Sequence, residues 1–294
     1  MQDLLDFLSS IDGFGKPESI EPLRGLSNRN FAVVIDDEVF VVRLASANAD
    51  RLGISREAEG AVLRLAHEAG IGPEVVCHVL PEGHMIMRWL PAQEIGQTPN
   101  RYREPAVLRS IVQVVKRIHA LPAIDHAFDP IDRIRRAFQS ASDHQVALPD
   151  ESDRILQRLA EIEAARGPLK PECVALCHND LFAGNILNAD PVRVIDWEFA
   201  GVGDIFFDLA TLVVACDEFV PLSDGQRRII LNEYFGEAAP DHQRRLDDMV
   251  FVVRLHVVAW GLTHHVLGTP AHGWEGFTFL GFAKDLLEQL IEEL

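Results

Sequence analysis

Three short apolar runs, Val174–Cys177, Ile186–Leu187 and residues 192–195, are separated by loops that carry Asp180, Asn185 and Asp196. Runs this short suit strands rather than helices. Asn188-Ala189-Asp190-Pro191 reads as a turn, so the second and third runs predict a hairpin with Asn185 and Asp196 at one end. Asn185 lies five residues after Asp180, and Asp196 eleven residues after Asn185. That arrangement fits phosphoryl transfer: Asp180 can take the proton of an attacking hydroxyl, while Asn185 and Asp196 can hold Mg²⁺ against nucleotide phosphates. Mg²⁺ is a hard cation that favours oxygen ligands of this kind. The competing reading is a loop whose Asp and Asn only cap turns. A second Asp at the hairpin end favours the metal.

Around this segment the chain divides into two expected lobes. In residues 1–90, a short helix over 3–10 precedes strands over 20–24, 31–35 and 39–44. A helix over 55–68 has Ala58, Val62, Leu65 and Ala66 as its apolar stripe, Ser55 as N-cap and Gly70 as terminator. Strands over 75–80 and 84–89 complete this lobe. In residues 91–294, helices are expected over 103–120, 131–140, 152–165, 207–219, 223–234, 242–267 and 274–294. The fold class is therefore α+β, an antiparallel sheet lobe joined to a mainly helical lobe.

Composition excludes several function classes. A net charge of −18 argues against nucleic acid as a partner. The most apolar helix candidate, residues 249–267, is interrupted by Arg254, His256, His264 and His265, so no membrane partner is expected. The cysteines Cys77, Cys173, Cys177 and Cys216 do not complete a zinc pattern. With no secretion signal, they suggest a reducing cytoplasm. The sequence leaves the oligomeric state open, a homodimer being one option.

Gly25-Leu26-Ser27-Asn28-Arg29-Asn30 lies between two strands and offers backbone N–H groups, with Ser27, Asn28 and Asn30, to phosphate oxygens. It is not a Walker A loop, because no Gly-Lys-Ser/Thr follows. The small lobe has one lysine, Lys16, which precedes the first strand. Arg43 is the strand-borne cation with apolar neighbours on both sides, and can bridge phosphates and a carboxylate. Glu59 is the first choice of partner and Glu57 the second. Adenine is expected between the lobes, on the backbone of Met87, Arg88, Trp89 and Leu90, with Ile195 beneath the ring.

Together these residues resemble the choline/ethanolamine kinase branch of the aminoglycoside phosphotransferase-like family. The likeness rests on residues 25–31, on Arg43 in place of the usual lysine, on His178-Asn179-Asp180 through Asn185, and on Asp196-Trp197-Glu198-Phe199-Ala200-Gly201 with Asp204 and Phe207-Asp208-Leu209-Ala210. Arg56 and Glu59 match the family's small-lobe helix. The resemblance implies a two-lobed protein-kinase-like fold, ATP and Mg²⁺ as cofactors, Asp180 as catalytic base, and Asn185 and Asp196 as metal ligands. It implies that Glu198 supports the metal or the substrate end, and that Asp208 caps the following helix. An acceptor amine would be held by aromatic faces and carboxylates. Trp260, Phe199 and Phe279 are the candidate walls, with helix packing as the competing role for Trp260, Trp274 and Phe279. Phe199 and Phe279 stand where the branch usually has tyrosine, and Thr263 where many members have a second tryptophan.

The expected activity is transfer of the γ-phosphate of ATP to the hydroxyl of a small molecule, with choline or ethanolamine first. A kinase for an aminoglycoside, thiamine, a sugar or another amino alcohol is the alternative. A nucleotide-binding pseudokinase is the rival from another class. A protein kinase is disfavoured, because there is no Asp-Phe-Gly or Ala-Pro-Glu and residues 196–208 leave little room for an activation segment.

Overall fold

A computed structural model describes residues 1–23, 25, 28–98, 100–214, 221–270 and 276–294. Ser27, Cys216 and Trp274 lie outside the described residues, as do Arg24 of the first expected strand and residues 215–219 of one expected helix.

The small lobe follows from strand alternation. Its five strands are β1 (Ser19–Leu23), β2 (Arg29–Ile35), β3 (Glu38–Leu44), β4 (Val75–Val79) and β5 (His84–Arg88). They pair antiparallel in the order β1-β2-β3-β5-β4. Phe31, Val33 and Ile35 on β2, with Phe40, Val42 and Leu44 on β3, turn to one face and pack with Leu4, Phe7 and Leu8 of α1 (Gln2–Ser9). The other face carries Arg43 and Met85 toward α2 (Arg56–Glu68). Ser55 caps α2 by accepting the Ala58 N–H at 3.2 Å. The buried stripe of α2 differs from the expected one: Leu63 is buried where Leu65 is half-buried, and the stripe continues through the charged Glu59 and Arg56. Those charges are paired with one another, which is what makes their burial tolerable.

The large lobe contains α3 (Pro105–His119), α4 (Pro130–Asp143), α5 (Ser152–Arg166), β6 (Val174–Cys177), β7 (Ile186–Leu187), β8 (Arg193–Val194), β9 (Gly201–Asp204), α6 (Ile205–Val214), α7 (Asp224–Phe235), α8 (Pro240–Leu267) and α9 (Phe279–Glu292). The expected hairpin is β7–β8, with Ile186 opposite Val194. Strand β9, which falls where no element is expected from the sequence, pairs with β6 from Val174–Asp204 to Cys177–Gly201. Glycine fits there because a Cβ on Gly203 would lie 2.9 Å from the Phe128 carbonyl oxygen. Helix α8 is long and apolar enough to cross a bilayer, with a window of mean hydropathy 1.4. Half of that window is buried, and α8 packs on α4, α6 and α9 as the central helix of this lobe.

Candidate active site

The loop between β6 and β7 is fixed from behind. Its His178 and Asn179 backbone N–H groups donate to Asp208 at 2.9 and 2.7 Å. Asp208 sits inside α6, fully buried, so it does not cap that helix as expected. Asp204 does so instead, accepting the Phe206 N–H at 3.0 Å. Burial opposes charge on Asp208, but the hydrogen bond from His119, 3.0 Å away, and the loop's N–H groups hold its pKa below the ordinary carboxylate value. His178 is buried against Trp197, and burial lowers its pKa to about 4. The neutral ring donates Nε2–H to the Ile195 carbonyl at 3.1 Å and accepts the Asp180 N–H at Nδ1 at 3.3 Å.

This scaffold presents Asp180 to the cleft. Asn185 Nδ2 donates to the Asp180 carbonyl at 2.9 Å and to Asp180 Oδ2 at 2.7 Å. That leaves Asp180 Oδ1 for a ligand and the Asn185 amide oxygen as an acceptor. Ile195 N–H donates to the Asn185 carbonyl at 3.0 Å, which places Asp196 beside Asn185. Asp196 has a positive φ of 63° and a side chain 40% exposed, in a cleft otherwise lined by buried charges. Partial desolvation and the Glu198 carboxylate push its pKa up to about 7, against the pull of Arg43. Burial, then the charges of Asp196 and Glu198, hold Asp180 well above the usual carboxylate range. An uncharged amide oxygen and an open carboxylate, crowded by other acids, form a donor set that suits a hard divalent cation.

The small lobe contributes a buried ionic network. Arg43 Nη1 lies 2.5 Å from Glu59 and 4.0 Å from Asp196. Arg56 Nη1 lies 2.9 Å from Glu59 and 3.1 Å from Glu198. Asn28 Nδ2 donates to Glu198 at 2.8 Å, and Asn28 Oδ1 accepts the Ser46 N–H at 3.1 Å. Glu59 is thus the Arg43 partner, and Glu57 is exposed. Burial works against charge on Arg43, and Glu59 outweighs it, so the guanidinium stays above its ordinary value. Arg43 Nε and Nη2 are buried with no hydrogen-bond partner among the described residues. Buried N–H groups left open in a cleft are sites for ligand oxygens.

Several expected positions change. Glu198, expected to support the metal or the substrate end, faces the small lobe and is 3% exposed. Asn28 spends its side chain on Glu198 and Ser46, so it braces the loop instead of reaching phosphate. Gly25 allows that bracing, since a Cβ there would lie 2.7 Å from the Asn28 carbonyl. Asn30 lies opposite Arg43 in the β2–β3 pair. Met87 is on β5 opposite Val41, and Trp89 is 37% exposed. The Arg88 and Trp89 N–H groups already donate to Glu74 and Val39, so adenine would have to use other backbone atoms.

A cavity of about 500 Å³ has Phe199, Trp260 and Thr263 on its wall. Phe199 ties it to the catalytic segment, because the Phe199 carbonyl accepts Asn179 Nδ2 at 3.0 Å. Phe279 is corrected: it is buried between α8 and α9, stacked on His264 at 4.7 Å. The sequence reading missed Arg133, which also lines the cavity.

The chain matches the profile of the phosphotransferase enzyme family over residues 19–246. It is 26% identical to protein LicA of Haemophilus influenzae over 227 residues, 74% of this chain and 63% of that protein, so it spans less than two thirds of that relative. It is 27% identical to a thiamine kinase of Escherichia coli over 215 residues, covering 71% of this chain and 68% of that one. A choline/ethanolamine kinase family protein from Mesorhizobium loti superposes with a TM-score of 0.76 at 22% identity, over 99% of this chain and 94% of that one. The fold is therefore the two-lobed protein-kinase-like fold, and this chain belongs to the phosphotransferase enzyme family.

Proposed function

We propose that this chain is an ATP- and Mg²⁺-dependent kinase that moves the γ-phosphoryl group to the hydroxyl of a small alcohol. Residues 1–90 hold the nucleotide, and residues 91–294 supply the catalytic loop and the acceptor pocket. The observation that carries this reading is Asp180, fixed 2.7 Å from Asn185 in a braced loop, with Asp196 of the same segment 4.0 Å from an arginine, Arg43, that has unpaired buried N–H groups.

Asp180 Oδ1 takes the hydroxyl proton as the acceptor oxygen attacks. The Asn185 amide, bonded to Oδ2 at 2.7 Å, orients the carboxylate for that transfer. Arg43 directs Nε–H and Nη2–H to phosphate oxygens while Glu59 fixes its plane. Asn185 and Asp196 are the ligands for Mg²⁺, which when bound neutralises charge on the phosphates.

Choline or ethanolamine as acceptor is supported by the sequence likeness and by Trp260 on the cavity wall. Another small alcohol is a second reading, favoured by Phe279 lying in the core and by a guanidinium over Phe199. Phosphate transfer from ATP to choline, ethanolamine, thiamine and kanamycin tests the function. Asp180→Asn should slow turnover by about 10²–10⁴-fold, with Mg²⁺–nucleotide affinity kept. Wild-type turnover in that variant would refute the catalytic role. Nucleotide binding with no transfer to any alcohol would favour a pseudokinase.

A further inference from the structure

The cavity is lined by three guanidinium groups, Arg51, Arg133 and Arg136, and three carboxylates, Asp50, Asp129 and Asp132, and Arg133 is the one laid over its aromatic wall. Arg133 on α4 donates Nη1–H to the Leu52 carbonyl at 2.8 Å and Nη2–H to the Gly53 carbonyl at 2.6 Å. Its guanidinium lies over two aromatic rings, 4.6 Å from the centre of Phe128 and 5.7 Å from that of Phe199. No described carboxylate forms an ion pair with it. The two acids nearest on its helix are committed elsewhere: Asp132 pairs with Arg136 at 2.7 Å, and Asp129 caps α4 through the Ile131 and Asp132 N–H groups. A guanidinium has five N–H donors, and these two bonds use two of them. Burial and the nearby Arg136 charge lower the Arg133 pKa to about 10, which is the signature of a cation short of a counter-ion.

Two consequences follow for a ligand. The Phe199 ring face, the expected wall for a quaternary ammonium, is already covered by a guanidinium. At a few ångströms in a partly dry pocket, repulsion between two full cations exceeds the gain from one cation–π contact. An anionic group, by contrast, would meet spare N–H donors in a planar fork.

We propose that Arg133 is a specificity residue, and that the acceptor is an alcohol whose far end carries a carboxylate or phosphate rather than a permanent positive charge. This rests on the kinase reading given above and takes its second acceptor reading, another small alcohol, in place of choline or ethanolamine. Calorimetric titrations of the full chain, with Mg²⁺ and a non-hydrolysable ATP analogue present, test it with D-glycerate, glycerol 3-phosphate, choline and ethanolamine as probes. At least one anionic probe should bind tenfold or more tighter than choline. Arg133→Gln should abolish that preference, and Arg133→Lys, which keeps the charge, should retain much of it. Choline binding as tightly as the tighter of the two acids, failure of both acids to bind, or an unchanged preference in Arg133→Gln would overturn the proposal. The wild-type comparison stands even where the Gln variant fails to fold. Nucleotide binding with a preference for choline would sink this inference alone. Failure to bind the nucleotide analogue would sink the kinase reading beneath it, and this inference with it.

Discussion

Asp208 accepts the backbone N–H of Asn179 at 2.7 Å, so a residue in the middle of α6 fixes the backbone directly before the candidate base. The same carboxylate accepts the His178 N–H at 2.9 Å and contacts His119 at 3.0 Å. Asp208→Asn turns one acceptor oxygen into an NH₂ group that cannot receive a loop N–H. The loss should be about 1–3 kcal/mol of stability, read by urea unfolding, together with a lower kcat. Unchanged stability and kcat would show that the brace has no role.

Glu198 gives a second prediction, because it is bonded to Arg56 and Asn28 across the lobes. Glu198→Ala leaves the buried Arg56 with Glu59 as its acidic partner and a long bond to Asn28 at 3.4 Å. The expected cost is about 3–5 kcal/mol, as for a broken buried pair. A stability change within about 0.5 kcal/mol, with a raised KM for the acceptor, would instead place Glu198 at the substrate end.

Much of this site was legible in the sequence because its elements are local. The spacing of Asp180, Asn185 and Asp196 across a hairpin needs only the strand period to be read. Arg43 and Glu59 were legible because a strand-borne cation with apolar neighbours requires a buried partner. The rest depends on contacts between distant segments. Asn28 meets Glu198 across 170 positions, and no local pattern reports that. Strand β9 was missed because three of the four residues of Gly-Val-Gly-Asp are of types depleted in strands, and the close approach of Phe128 is what demands glycine there. Phe279 looks the same in sequence whether it packs on His264 or lines a pocket.

His264 supplies a pH prediction. It is fully buried between Phe279 and Trp260, with both ring nitrogens unpartnered among the described residues. Burial lowers its pKa from 6.5 to about 4. Its contribution is therefore fully present above pH 6.5 and is lost as pH falls toward 4, where the unfolded chain binds a proton that the folded one does not. The slope is at most about 1.4 kcal/mol per pH unit. His264→Phe should flatten the fall in stability between pH 6.5 and 5 by about that amount, measured by urea unfolding at each pH. Parallel curves for both proteins would contradict the assignment.

Catalysis by this route requires Asn185 and Asp196 to share one Mg²⁺ beside Asp180. A crystal structure with Mg²⁺ and a non-hydrolysable ATP analogue tests it most directly. The Asn185 amide oxygen and an Asp196 carboxylate oxygen should both lie about 2.0–2.1 Å from the same ion, with phosphate oxygens completing its shell. An ion held without either residue, or a triphosphate lying away from Asp180 and Arg43, would contradict it.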